Sequence, residues 1–181
     1  MIFISAGHNP NGLNPDPGAI GNGNHEADLT VEFRNLVTAM LRAKGLEVIT
    51  DKDDERLGTY LERIKTGNGS VVLEFHFDAA GTSTATGTTV LIGNDADRLD
   101  KAFAKELVEA CATTLSIKNR GIKPESESHR GGLGLMREQG AVALLEICFI
   151  TNKEDLLQYR NNKMSLAFKI AEIVERYEKL I

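Results

Sequence analysis

Residues 5–29 read SAGHNPNGLNPDPGAIGNGNHEADL. A short apolar run, MIFISA (residues 1–6), ends two residues before His8. A loop dense in Gly, Asn, Pro and Asp follows, and it closes on His25-Glu26, where a long amphipathic pattern starts at once. The order strand, costly loop, helix makes this the opening of an α/β domain. It also poses a question: why join a strand-end histidine to a helix-start glutamate through so much irregular backbone?

The rest of the chain repeats the alternation. In EADLTVEFRNLVTAMLRAKG (26–45), Leu29, Phe33, Leu36, Val37, Met40 and Leu41 fall on one helical face, and Gly45 is a stop signal. LEVIT (46–50) is a second strand, DDERLGTYLERIKTG (53–67) a second helix, SVVLEFHF (70–77) a third strand and GTTVLIG (87–93) a fourth. DADRLDKAFAKELVEACATTL (95–115) is a helix with Leu99, Phe103, Leu107 and Cys111 inward. GLGLMRE (132–138) is expected as a short strand and GAVALLEICFI (140–150) as a buried one. TNKEDLLQY (151–159) opens a helix capped by Asn152 or Thr151, and SLAFKIAEIVERYEKLI (165–181) is a terminal helix. Residues 7–25, 78–86 and about 118–132 are left as loops. The expected fold is α/β: a twisted, largely parallel but mixed sheet of about six strands, with helices on both faces.

At 181 residues the chain is expected to be one domain, residues 1–181, with room for a sizeable core. A net charge of −5 argues against a protein whose task is to neutralise nucleic-acid phosphates. No apolar run is long enough to span a membrane, and Met1-Ile-Phe-Ile lacks the form of a signal peptide. The expectation is therefore a monomer that is cytoplasmic until released, or else a chain from which a leader has already been removed. Cys111 and Cys148 lie in apolar stretches and read as buried free thiols, and neither belongs to a Cys-x-x-Cys zinc pair. GNGNHE lacks the third glycine of a dinucleotide fingerprint.

The chemistry-bearing residues fall at strand and helix ends. His8 follows the first strand, His76 ends the third, and Glu26 starts the first helix. The carboxyl ends of parallel strands line the ligand crevice of an open α/β sheet, so these three converge there. Two imidazoles and a carboxylate form a catalytic zinc set with an open position. Singly, each residue has an ordinary reading, a polar strand end or a helix-dipole partner. Glu146 is different: a charge inside AVALLEICFI is costly unless it is paired or functional. His25 and His129 lie in polar Gly-rich loops and read as surface residues. His129-Arg130 could also line a groove, and Arg120 and Lys123 read equally as solvated surface or as partners of an acidic ligand.

Four ordered blocks then resemble one family. AGHNPNGLNPDPGAIGNGNHEADL is similar to the opening motif of the zinc-dependent N-acetylmuramoyl-L-alanine amidases of the Amidase_3 type. EFHFDAA resembles their strand ending Ser-x-His-x-Asn-Ala. RGIK, followed by LGLMRE and AVALLEICFITN, resembles their closing block. The resemblance implies one Zn2+ per chain held by His8, Glu26 and His76, Glu146 as the catalytic base, and peptidoglycan as the partner, cut at the amide between N-acetylmuramic acid and L-alanine. It also implies a cell-wall hydrolase of the endolysin or autolysin kind. The chain departs from the pattern with GHNP for Gly-His-Gly-Gly and with Asp78 for the frequent Asn. Residues 77–119 leave no room for an extra helix over the zinc, so an open site is expected. A zinc peptidase acting on stem peptides, a non-catalytic wall-binding module and a structural zinc site are the competing readings. The last would ordinarily close its coordination sphere with cysteines.

Overall fold

The computed structural model describes residues 1–12 and 14–180. Its centre is a six-stranded sheet in the order β4-β1-β5-β8-β6-β7, built from β1 (Ile2–Ser5), β4 (Val48–Thr50), β5 (Val71–Asp78), β6 (Thr88–Ile92), β7 (Asn119–Pro124) and β8 (Ala141–Phe149). β4, β1, β5 and β8 run parallel, whereas β6 is antiparallel to β8 and carries β7 parallel to itself. The mixed sheet expected from the sequence is thus the one observed.

The two faces are covered unequally. On one, Ile4, Leu73, Phe75 and Leu145 pack against Phe33, Leu107 and Tyr159 of three long helices, namely α1 (Glu26–Ala43), α3 (Arg98–Leu115) and α4 (Lys153–Leu180). The other face is thin. Phe3, Val72, Leu91 and Leu144 meet Tyr60 and Ile64 around the short α2 (Leu57–Arg63) and Leu135 and Met136 of a 3-10 turn, Gly134–Arg137. Side chains alternate along a strand. Ser5, Glu74, His76 and Glu146 therefore follow Phe3, Val72 and Leu144 onto this thin face. Ser5 and Glu74 are buried there, and His76 and Glu146, farther toward the carboxyl ends of β5 and β8, are partly open.

Several elements differ from the sequence expectation. The 132–138 stretch is the 3-10 turn rather than a strand, because adjacent Leu135 and Met136 are both buried on the same face, which a strand forbids. Residues 119–124, expected in a loop, form edge strand β7; their polar, Gly- and Pro-containing sequence hides it. α2 is only seven residues long, because Asp53 and Glu55 are engaged by Arg34 and Arg63 instead of starting a helix. The last two expected helices are one continuous α4, capped by Asn152, whose Oδ1 accepts from the backbone of Glu154 and Asp155. Ile181, placed in that helix from sequence, lies outside the described residues. Within 7–25 the chain forms a small hairpin, β2 (Ile20–Gly21) with β3 (Asn24–His25). Asn22 and Gly23 turn it at φ +49° and +74°, the Asn-Gly geometry that matches strand twist. No helix among the described residues is long and apolar enough to cross a membrane.

One buried carboxylate ties the far ends of the sheet to α4. Asp155, 1% exposed, accepts from Thr86 Oγ1 at 2.5 Å, Gly87 N at 3.0 Å and Phe149 N at 3.1 Å. Asp155→Ala leaves two buried backbone donors and the half-buried Thr86 hydroxyl without this acceptor. The expected loss is about 3 kcal/mol of stability, read as a lower urea midpoint at unchanged slope.

Candidate active site

The loop between β1 and α1 answers the question its composition raised. α1 has no side-chain cap; instead the loop carbonyls of Ala19 and Pro17 accept from Glu26 N at 2.9 Å and Ala27 N at 3.0 Å. The loop caps the helix with its own backbone and so fixes the first helical residue, Glu26, beneath it. The loop is held in turn by Asp16, whose Oδ1 accepts from Gly18 N and whose Oδ2 meets His8 Nδ1 at 2.9 Å. Under its first half, Arg34 of α1 bonds Asp51 at 2.8 Å, while Asp51 also accepts from Ala6 N.

Glu26 is 4% exposed, yet its carboxylate has a full set of partners. Oε1 takes His76 Nδ1 at 2.8 Å and Phe77 N at 2.9 Å; Oε2 takes Ala19 N at 2.8 Å and faces His8 Nε2 at 3.3 Å. Burial raises its pKa, but the hydrogen bonds and charges of His76 and His8 outweigh that and hold it well below the usual carboxylate range. Burial works against charge on His76 too, and the bonds to Glu26 and Glu74 overcome it, raising its pKa well above the usual value. One ligand atom from each of His8, Glu26 and His76 lies within 4.8 Å of the others. The convergence expected from the strand ends is therefore present. The two rings meet edge to face, with centroids 4.9 Å apart.

Two glycines leave the space for this packing. A Cβ on Gly7 would lie 2.3 Å from His76 Nε2, and one on Gly18 2.6 Å from Glu26 Oε2 and 2.7 Å from His8 Cδ2. Both have positive φ, +72° and +65°, so each is required twice over.

Glu146 sits beside the cluster because β5 and β8 place His76 and Glu146 as register partners. Its Oε2 is buried with no hydrogen-bond partner. Burial, helped by Asp78, Glu26 and Glu74 and opposed by the charge of His76, pushes its pKa up to about 8. A cleft of about 420 Å³ opens over the group and is bordered by Leu57, Leu91 and Leu133 as well as the site residues. Ser128, His129 and Arg130 form part of its rim; the latter two are exposed, as surface residues should be, and still line the groove. Asp78 also lines it, its pKa raised by burial against the pull of its own Ala79 N–H, Arg120 and Lys123. His25 points away, with its side chain exposed and its ring 3.7 Å from Asp28. Arg120 lies over the ring of Phe149 rather than in free solvent. Cys111 and Cys148 are free and buried.

The sequence reading missed two members. Asp16 is one polar residue among many in the opening loop, and its contact with His8 is not visible from spacing. Glu74, 2% exposed, meets His76 Nε2 at 3.1 Å. It could have been found by the argument that singled out Glu146, since it is a charge inside VVLEFHF two residues from a candidate ligand.

Comparison with known proteins bears on the family and the fold. The family model described as N-acetylmuramoyl-L-alanine amidase (Amidase_3) matches residues 2–176. The uncharacterized protein YqiI of Bacillus subtilis is 26% identical over 158 residues, covering 85% of this chain and 72% of YqiI. The B. subtilis N-acetylmuramoyl-L-alanine amidase LytC is 24% identical over 158 residues, 85% of this chain but 30% of LytC. The crystal structure of an N-acetylmuramoyl-L-alanine amidase from Clostridium difficile 630 superposes with a TM-score of 0.80 at 21% identity, covering 98% of this chain and 96% of that one, which is a likeness of fold. The family match runs from β1 into α4 and includes every strand and helix end that carries a residue of the cluster, so the chain belongs to the Amidase_3 family of N-acetylmuramoyl-L-alanine amidases.

Proposed function

We propose that this chain is a zinc-dependent N-acetylmuramoyl-L-alanine amidase, hydrolysing the amide between N-acetylmuramic acid and the first L-alanine of the peptidoglycan stem. The observation that carries the reading is the grouping of His8, Glu26 and His76 within 4.8 Å beside the unpartnered Glu146 oxygen, at the floor of an open cleft.

The residues fit the ion. Two borderline imidazole nitrogens and one harder carboxylate oxygen make a mixed donor set that zinc accepts, and three protein ligands leave a position for substrate or water. Each histidine has its far nitrogen on a carboxylate, the arrangement that fixes the ring and tautomer of a metal ligand. Bound there, zinc would acidify water and polarise the scissile carbonyl. His8 through Nε2, His76 through Nδ1 and Glu26 would hold it. The backbone N–H groups of Phe77 and Ala19 keep the Glu26 carboxylate in place.

Glu146 supplies the proton chemistry. Its free Oε2 takes a proton from the attacking water and returns it to the departing alanine nitrogen. Burial suits it to both halves of that task, because it raises the basicity of a carboxylate that no other group engages. The leucines bordering the cleft limit water around the reacting centre, and Ser128, His129 and Arg130 supply polar contacts at the rim. The setting we propose is the cell wall, in a lytic or remodelling role.

Product analysis tests the reading. Peptidoglycan digested by the zinc-loaded protein should release stem peptides with a free L-Ala amino terminus, and EDTA should abolish the release. Cleavage within the stem would instead make the protein a peptidase. Binding to sacculi with no cleavage would make it a wall-binding module. Glu146→Gln is expected to keep zinc and lose about 10²- to 10⁴-fold in rate; full activity with zinc bound would remove Glu146 from the chemistry. Gly7→Ala should weaken zinc binding by about tenfold or more, because its Cβ displaces His76. Gly23→Ala, at φ +74° but with nothing within 4 Å of the added Cβ, carries the same backbone cost of about 1–2 kcal/mol and should leave zinc affinity unchanged in a chelator competition.

A further inference from the structure

Glu74 lies in the middle of β5, almost fully buried at the wall of the cleft, and the mechanism above does not use it as a ligand or as a base. Its Oε1 is 3.1 Å from His76 Nε2, and its Oε2 accepts from Ser5 Oγ at 2.8 Å. Ser5 is its register partner across the β1–β5 ladder, so both residues are placed by backbone pairing rather than by flexible loops. Among the described residues, His76 is the only basic group within ion-pair reach of Glu74. A buried carboxyl group needs hydrogen-bond partners, and among the described residues Ser5 and His76 are the ones that meet its oxygens.

The imidazole of His76 has only one edge open to a ligand. Gly7 packs against Nε2 so closely that a Cβ there would sit at 2.3 Å. Nε2 is thus enclosed between Gly7 and Glu74, while Nδ1 faces Glu26. The partner of the other histidine differs in kind: the Asp16 side chain is 50% exposed, so solvent screens its charge.

We propose that Glu74 is the positioning residue of the site: it holds the Nε2–H of His76 and thereby aims the Nδ1 lone pair at the cation position beside Glu26, with the Ser5 hydroxyl locking the carboxylate in that orientation. The inference rests on the metal reading of this same cluster. Glu74 touches neither the ion nor the substrate, and it acts through the direction and basicity of His76.

The test is zinc affinity of the full chain, measured by competition with a chromophoric chelator, together with the visible spectrum of the cobalt-substituted protein. Glu74→Ala removes both charge and acceptor and should weaken zinc binding about 10- to 100-fold. Glu74→Gln is nearly isosteric and leaves an amide oxygen for Nε2–H, so it keeps the fold in case the alanine variant does not. It should lose less affinity and still shift the cobalt d–d bands, because the basicity of His76 changes. Asp16→Asn should have the smaller effect of the two asparagine- or glutamine-type changes. Wild-type affinity and an unshifted cobalt spectrum in Glu74→Gln, with Glu74→Ala also at wild-type affinity if it folds, would overturn the role of Glu74 while leaving the metal site standing. A wild-type chain that binds no zinc would overturn both readings together.

Discussion

The Glu26 carboxylate is the point on which the rest of the molecule depends. It meets four groups from three different parts of the chain: the His8 ring just beyond β1, the Ala19 amide of the opening loop, and the His76 ring with the Phe77 amide at the end of β5. Each would be a poor arrangement alone. A buried carboxylate is expensive, a loop with so many Gly, Asn and Pro residues loses much entropy on ordering, and two adjacent imidazoles disfavour each other when charged. Together they offset one another. The loop caps α1 with its own carbonyls, the capped helix places Glu26, and Glu26 gathers the strand ends.

The uneven covering of the sheet explains why the cluster faces a cleft. Three long helices cover one face, and the strand residues beneath them are mostly apolar. The other face has only α2 and a 3-10 turn, and His76 and Glu146 on it are partly open. Ser5, Glu74, His76 and Glu146 share this face by strand periodicity. The register between β5 and β8 then places His76 and Glu146 side by side. The catalytic geometry proposed for this chain is in that sense a property of sheet pairing, and it asks little of loop conformation beyond residues 7–25.

Much of this was legible before any coordinates. His8, Glu26 and His76 stand at the boundaries between elements, and boundaries of parallel strands converge in an α/β sheet. Glu146 was conspicuous as a charge in an apolar run. β7 was not legible, because an edge strand needs only one neighbour and tolerates the polar sequence NRGIKP. The turn at 134–137 was misread as a strand because Leu135 and Met136 look like sheet residues until both are found facing the same way. α2 came out shorter than its pattern because ion pairs to Arg34 and Arg63 took up the acidic residues that would have started it. Asp16 illustrates a general limit. Residues that orient a ligand are recognised by which atom they face, and spacing carries no such information.

The central claim is that one cation belongs between His8 Nε2, the Glu26 carboxylate and His76 Nδ1. Anomalous scattering at the zinc edge from crystals of the zinc-loaded protein tests it most directly. The account predicts a single strong peak bonded to those three residues, with Asp16 and Glu74 on the far ring nitrogens and the Glu146 carboxylate beside it. A peak elsewhere in the molecule, or one reached by His76 through Nε2, would contradict it.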